Sequence, residues 1–518
     1  MAKSAAVPRK CECISNMLGE RQYFYGLYPL ANLLSSAFNI LIFVFTLLAT
    51  AIPLSASTLE GDWFLQAGAS GSGESIDDPT GSPAIIERLS AEGDTIVLLP
   101  SDAILEGGLT LKKHQSLIGI SKSGRKPVIT NRNPDRNNGC GIMLADGNRV
   151  LNLRIENTLA SGLYGLEISS AQIDGVDVHG SNQQALFIEA SYLTLPGQLP
   201  HGGMVFMHSQ KSDLSPDTGS DNVSISSSTV TESAGFGIAA ITSGNSHSSL
   251  LITDTIIENG SRIGFFDAGI SSLAQGSGAQ AQLEIIGSEV QGRMSRAGRN
   301  VMVVASGGAK AIVKIKNFLS GPVGQDGIVG AVMQSPSQIS MTISESIVEG
   351  AGQMNIEGSL INLPPNDPSQ ANQARVSINI QDSIIRNAGA VSGFENIAAN
   401  VWLGPSLFLK DQPPAIGEYE LTITNSQILD AGRAGLEFGD LELLHKDQLD
   451  KSKYNVVLIG NTIKENGEAD LFIHAPRATI DARKNCWGYD KNATKPRVKI
   501  HDPSKLSQLN VSQSIRCE

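Results

Sequence analysis

Ile343-Ser344-Glu345-Ser346-Ile347-Val348 is one copy of a phrase that recurs through the chain, Ile-x-x-Ser/Thr-x-Ile/Val. It returns as Ile225-Ser226-Ser227-Ser228-Thr229-Val230, Ile252-Thr253-Asp254-Thr255-Ile256-Ile257 and Ile285-Ile286-Gly287-Ser288-Glu289-Val290. Two later copies are Ile380-Gln381-Asp382-Ser383-Ile384-Ile385 and Ile423-Thr424-Asn425-Ser426-Gln427-Ile428. Degenerate copies start at Ile315 and Ile459, and successive starts lie 27, 33, 30, 28, 37, 43 and 36 residues apart. The apolar residues alternate, so each copy is a strand that buries one face. A Gly-containing turn follows several copies, as in Asp430-Ala431-Gly432 and Glu465-Asn466-Gly467, and a second apolar strand such as Gly435-Leu436-Glu437-Phe438 comes next.

No unit of strand, turn, strand and loop can bury its apolar face alone, but stacked units share one interior. A period near 30 with two or three short strands predicts the coil of a parallel β-helix. A propeller blade needs about 40 residues and four strands. A leucine-rich repeat would be dominated by Leu, whereas Ile, Val and Ser dominate here. The variable spacing predicts constant coil cores with loops of changing length. Ser426, Thr462, Asn425 and Asn461 are expected to form polar ladders at the turns.

Outside the repeats the chain carries ends suited to a solenoid. Ser82-Pro83, then Ala84, Ile85, Ile86 and Leu89, then Gly93, predict a short capping helix with Ser at the N-cap, Pro at the first helical position and Gly just past the end. Arg483-Lys484-Asn485-Cys486-Trp487-Gly488 closes the last coil. At the N-terminus, Leu30 to Leu54 is an uncharged apolar run preceded by Lys3, Arg9, Lys10 and Arg21. That is the plan of a secretory signal cleaved after Ala56, or of a retained membrane anchor. The expected organisation is therefore signal or anchor over 1–56, one β-helix over 57–489 and a tail or cap over 490–518. Beyond the leader the cysteines are Cys140, Cys486 and Cys517. In an exported chain an odd set predicts one disulfide, and the shared tail position pairs Cys486 with Cys517.

The composition agrees. Of 518 residues, 41% are hydrophobic, 17% charged and 5% aromatic, which excludes a disordered chain. The formal charge is −12, which argues against nucleic acid as a partner.

Gly93-Asp94-Thr95-Ile96-Val97-Leu98-Leu99-Pro100, with Gly107-Gly108-Leu109-Thr110-Leu111 and Ser116-Leu117-Ile118-Gly119, resembles the first coils of right-handed parallel β-helix proteins of the pectin-lyase-like superfamily. Asn485-Cys486-Trp487-Gly488 resembles the phrase that often ends such helices. The resemblance spans about residues 60 to 490 and implies an all-β, single-domain solenoid. It leaves function open, because this fold hosts lyases, hydrolases, epimerases and adhesins. The hydrolase set of Asn-Thr-Asp, Asp-Asp, Gly-His-Gly and Arg-Ile-Lys is absent, as is the epimerase phrase built on Asp-Pro-His.

The densest polar cluster is early, in Asp174-Gly175-Val176-Asp177-Val178-His179-Gly180. Asp177 and His179 are two apart, so on a strand they share a face and form a candidate acid/base pair. Arg132 and Arg136 in a nearby loop, and His201 and His208 in a long insertion, complete the expected site. A sugar lyase needs a base and a cation beside the substrate carboxylate, and arginine or bound calcium serves. Trp402 and Phe408 lie in later insertions, where aromatics stack on sugar rings or pin the loops. The expected function is an exported protein, secreted, periplasmic or on the cell surface. It interacts with polysaccharide or cell-surface glycan as a lyase or glycoside hydrolase, and touches membrane only through an uncleaved N-terminal segment. The alternative is a non-catalytic surface or matrix protein, adhesin-like or structural.

Overall fold

The computed structural model describes residues 60–182, 202–209, 220–258, 268–292, 298–361, 363, 372–390, 398–406, 415–439, 451–475, 477–488, 495–501, 507–512 and 514–515. From Gly61 onward these form one compact unit. It is a right-handed parallel β-helix with three long sheets, here called A, B and C, of 17, 13 and 13 strands. Each full coil contributes one strand to each sheet, in that order. In one coil, Gln338–Ser344 lies in sheet A, Ile347–Glu349 in sheet B and Met354–Ile361 in sheet C. Each strand pairs in parallel with its equivalent one coil away, about 4.8 Å distant.

The repeated phrase is the corner from sheet A to sheet B. Ile225, Ile252, Ile285, Ile315, Ile343, Ile380 and Ile423 register one above another in sheet A. All are at most 1% exposed, so they are the inward stack that the alternation requires. The ladder then passes to Leu458 and not to Ile459, which pairs with Thr424 on the outer side. Two adjacent apolar residues conceal the phase there; the structure selects Leu458-x-x-Asn461-x-Ile463.

At each sheet A to sheet B corner between Leu151 and Cys486, one residue takes a left-handed conformation. Asn152, Gly175, Ser227, Asp254, Gly287, Asn317, Glu345, Asp382, Asn425, Gly460 and Lys484 all have φ between 47° and 73°. That bend turns the chain from sheet A into sheet B. After eight of these the next residue is a buried Ser, Thr or Asn; after Asn152, Gly175 and Asn317 it is buried Leu153, Val176 and Phe318. Ser346 Oγ accepts the Phe318 N–H at 3.2 Å and donates to the Ser344 carbonyl at 2.6 Å. Ser383, Ser426, Asn461 and Asn485 continue this ladder. Asn425 is the bend residue and Thr462 a partly exposed strand residue, so neither joins it.

Both ends differ in detail from expectation. The capping helix is Pro83–Leu89, with Pro at its start. The Ser82 side chain makes no cap bond, and Ser90, not Gly93, ends the helix by donating its N–H to the Ile86 carbonyl at 2.9 Å. Gly93, at φ 85°, shapes the turn into Thr95–Leu98. Past Gly488, Val498–Ile500 adds to sheet C and Gln508–Asn510 to sheet A.

Sheets A and C differ in outer face. Sheet A strands alternate buried and exposed, as in Lys310–Lys316. Sheet C strands such as Val301–Ser306 and Ala434–Phe438 are buried on both sides. Polar residues pointing outward from sheet C are therefore held in a desolvated setting.

Candidate active site on the third sheet

The early cluster spans sheets A and B. Asp174 and Asp177 belong to different sheets, because the bend at Gly175 separates Ser170–Asp174 from Asp177–His179. Asp177 and His179 do share the outer face of sheet B, both half-buried. Asp177 is paired with Lys126 Nζ at 2.9 Å and accepts from Thr229 Oγ1 at 2.9 Å, while His179 Nδ1 sits 2.8 Å from Thr231 Oγ1. Arg136 runs to the capping helix, donating to Glu87 Oε1 at 2.9 Å and to the Gly107 carbonyl. Arg132 is exposed. His208 ends a sheet C strand, its Nδ1 3.4 Å from Glu167. His201 lies outside the described residues, as does Phe408. Among the described residues, no hydrogen bond or ion pair joins Asp177 or His179 to either arginine or to His208.

A denser arrangement stands on the outer face of sheet C. Met354–Ile361, Ala399–Ser406, Ala434–Phe438 and Ala469–Ile473 are its successive strands there. Their register stacks Glu357, Trp402, Glu437 and Phe472 in one outward column. Beside it, Ala399, Ala434 and Ala469 stack as a small-residue strip. The strands are placed by a second buried ladder. Asn355 Nδ2 donates to the Arg386 carbonyl and to Asn400 Oδ1, both at 2.7 Å, and Asn400 Nδ2 donates to the Leu429 carbonyl at 2.7 Å. Glu357 and Trp402 each follow their ladder asparagine by two residues, so the same bonds set both.

Two charged groups flank the column. At its start, buried Arg299 donates Nε to Asp326 Oδ2 at 3.1 Å. Half-buried Glu357 stands close by. Burial pushes the Glu357 carboxyl up to about 7; the Asp326 carboxylate adds to the rise and the Arg299 guanidinium opposes it. At the other end, Glu437 Oε1 lies 3.0 Å from Arg433 Nη2 and 3.1 Å from His474 Nε2. Glu437 and His474 are 3% and 1% exposed. Glu437 Oε2 and His474 Nδ1 are buried without a hydrogen-bond partner. Phe472 stacks on His474 with centroids 4.5 Å apart, and the Arg433 guanidinium lies over the Phe472 ring, 4.6 Å from its centre. Trp402 is pinned by its Nε1, which donates to the Gly439 carbonyl at 3.1 Å. Among the described residues, no three His, Cys, Asp or Glu side chains converge as a metal site.

Of the four column residues, Glu357 is half-buried, while Trp402, Glu437 and Phe472 are buried at 8%, 3% and 4% exposure. Sequence reading noted Trp402 and the strand Gly435–Phe438 but passed over both acids. The available sign was a lone Glu inside an apolar run, in Asn355-Ile356-Glu357-Gly358 and Leu436-Glu437-Phe438.

No protein-family model matches the chain, and no curated protein matches it. Among solved structures it is similar to the A-module of the mannuronan C-5 epimerase AlgE6 from Azotobacter vinelandii: 13% identity over 87% of this chain and 98% of that one, TM-score 0.35. The GH136 lacto-N-biosidase from Eubacterium ramulus matches at 11% identity over 87% and 67%, TM-score 0.34. A rhamnogalacturonan lyase matches at 11% over 86% of both chains, TM-score 0.29.

Proposed function

We propose that this chain is an exported carbohydrate-active protein that binds a polysaccharide on the outer face of sheet C and acts on it by acid–base chemistry. The observation that carries the reading is the column Glu357–Trp402–Glu437–Phe472, which alternates carboxyl groups and aromatic rings one coil apart. Glu357, whose carboxyl burial pushes up to about 7, stands on one side of the indole. A carboxylate with an unused buried oxygen stands on the other. A desolvated setting strengthens every polar contact a sugar makes there. Export is supported by the charge-flanked apolar run at 30–54, outside the described residues.

The test is binding, measured apart from turnover. Oligosaccharides from a polysaccharide panel should perturb tryptophan fluorescence in the wild type. Trp402→Ala should weaken binding about tenfold, the scale of a lost stacking contact. Binding that is equal in the two proteins, with Trp402→Ala still folded, would remove this face as the glycan site. Binding without turnover would return the chain to the non-catalytic surface class.

A further inference from the structure

We infer that the first coils carry a separate binding site for a sugar acid, in the cavity between the loop at 100–102 and the hairpin at 122–125. The cavity holds about 560 Å³, within the range of small-ligand pockets. It opens at the corner from sheet A to sheet B. Trp402 lies eight coils further on, about 40 Å along the solenoid, so the cavity is no part of the sheet C face. Both walls are fixed by hydrogen bonds. Gln66 Nε2 donates to the Pro100 carbonyl and Ser101 Oγ to the Ala67 carbonyl, each at 3.0 Å. Opposite them, Lys122 and Arg125 exchange both backbone hydrogen bonds at 3.0 Å around Ser123 and Gly124, whose φ values are 52° and 77°. Two left-handed residues in succession make the tightest hairpin turn. Asn152 Nδ2 secures the base of the hairpin, donating to the Gly119 carbonyl at 2.7 Å and to Ser121 Oγ at 3.1 Å.

The hairpin sets charge beside like charge. Residues flanking a two-residue turn stand directly opposite with side chains on one face, and like charges so placed repel. Lys122 and Arg125 are both exposed, and neither has an ion-pair partner among the described residues. The third cation of the cavity, Lys126, is taken by Asp177 at 2.9 Å. In a chain of formal charge −12, two unanswered cations on one rigid turn are a local exception. An anion seated between them removes their repulsion. Asp102 lines the same cavity, exposed and paired with neither cation. A bare phosphate, or a surface of lipid phosphates, would meet the Asp102 charge. A sugar acid instead sets its carboxylate on Arg125 and Lys122 and offers hydroxyl donors to Asp102. Pro100 and Pro127 supply apolar faces for its ring. The cavity holds the glycan, and no bond is made or broken there.

The experiment is isothermal titration calorimetry on the full chain with trimers of galacturonate, mannuronate and glucuronate, their methyl esters, and inorganic sulfate. The expected result is binding of at least one acidic trimer, weaker as salt rises and lost in its ester. Lys122→Ala and Arg125→Ala should each weaken that binding about tenfold without lowering the melting temperature, since both side chains are exposed. Trp402→Ala should leave it unchanged, which separates this cavity from the sheet C face. Binding of no acidic trimer, or binding equal in the wild type and both hairpin variants, would overturn the site. An ester bound as tightly as its acid would overturn the role of the charge. Sulfate bound as tightly as any trimer, and lost in both variants, would overturn the sugar acid in favour of a bare anion. Capture on phosphatidylglycerol vesicles through Lys122 and Arg125, with no trimer bound, would overturn it in favour of a membrane surface.

Discussion

Glu357 combines exposure to a ligand with surroundings that disfavour its charge. The groups facing it are Asp326, Arg299 and Ser359, and burial outweighs the two that favour ionisation. Its folded pKa, about 7, is raised above the ordinary 4.5. The proton it would donate is therefore present below about 7, and turnover should fall as the pH rises through that value. The same shift links to stability: the stabilising contribution is complete below the ordinary carboxyl range and is lost as the pH rises through about 7. Melting temperatures measured between pH 4 and 8 should drop further in the wild type than in Glu357→Gln; parallel curves would contradict the shift. Cys140 shows the opposite use of burial. It is a free thiol, 1% exposed among Ala160, Tyr164 and Phe236, and burial pushes it up to about 11. Iodoacetamide at pH 8 should label it only after unfolding, and rapid labelling of the native chain would refute that.

The repeated corner is the element that stability depends on. Each buried hydroxyl of the ladder satisfies one backbone N–H of the neighbouring coil, so removing it strands a donor. Ser346→Ala leaves the Phe318 N–H unpaired and should cost about 1–3 kcal/mol. Ile343→Ala, at the next rung inward, should cost about 2–5 kcal/mol, because coils above and below hold the cavity open. Denaturant titration checks both, and a change too small to detect in either would deny that the corner is a packed unit. Most of this element was legible, since Ile-x-x-Ser-x-Ile carries the buried Ile, the bend and the ladder hydroxyl at fixed spacing. The slip at Ile459 arose because Leu458 and Ile459 are equally apolar, and only pairing with Ile423 tells them apart.

At the scale of the molecule, the C-terminal end lies where the last coil needs covering. Ile515 bridges to Cys486 and its N–H reaches the Asn485 carbonyl at 3.0 Å, which brings the chain near Cys486 two residues before Cys517. We expect those two cysteines to be bonded; Cys517 lies outside the described residues. The loop closed has about 30 residues, and chain entropy assigns it about 3–4 kcal/mol. Non-reducing peptide mapping should recover the linked pair, and two free thiols would refute it. What the sequence determined by itself was the solenoid. Its period, alternation and corner residues are local and repeat in every coil, so each copy reinforces the others. The candidate site was decided only in three dimensions. Glu357, Trp402, Glu437 and Phe472 lie 45, 35 and 35 residues apart along the chain and meet because coils stack. Asp177 and His179 showed the reverse: neighbours in sequence, they share a strand face, while Arg136 bonds to Glu87 and His208 lies beside Glu167. Spacing along the chain reports what one strand places together. Which strands lie side by side depends on loop lengths that the repeat leaves free.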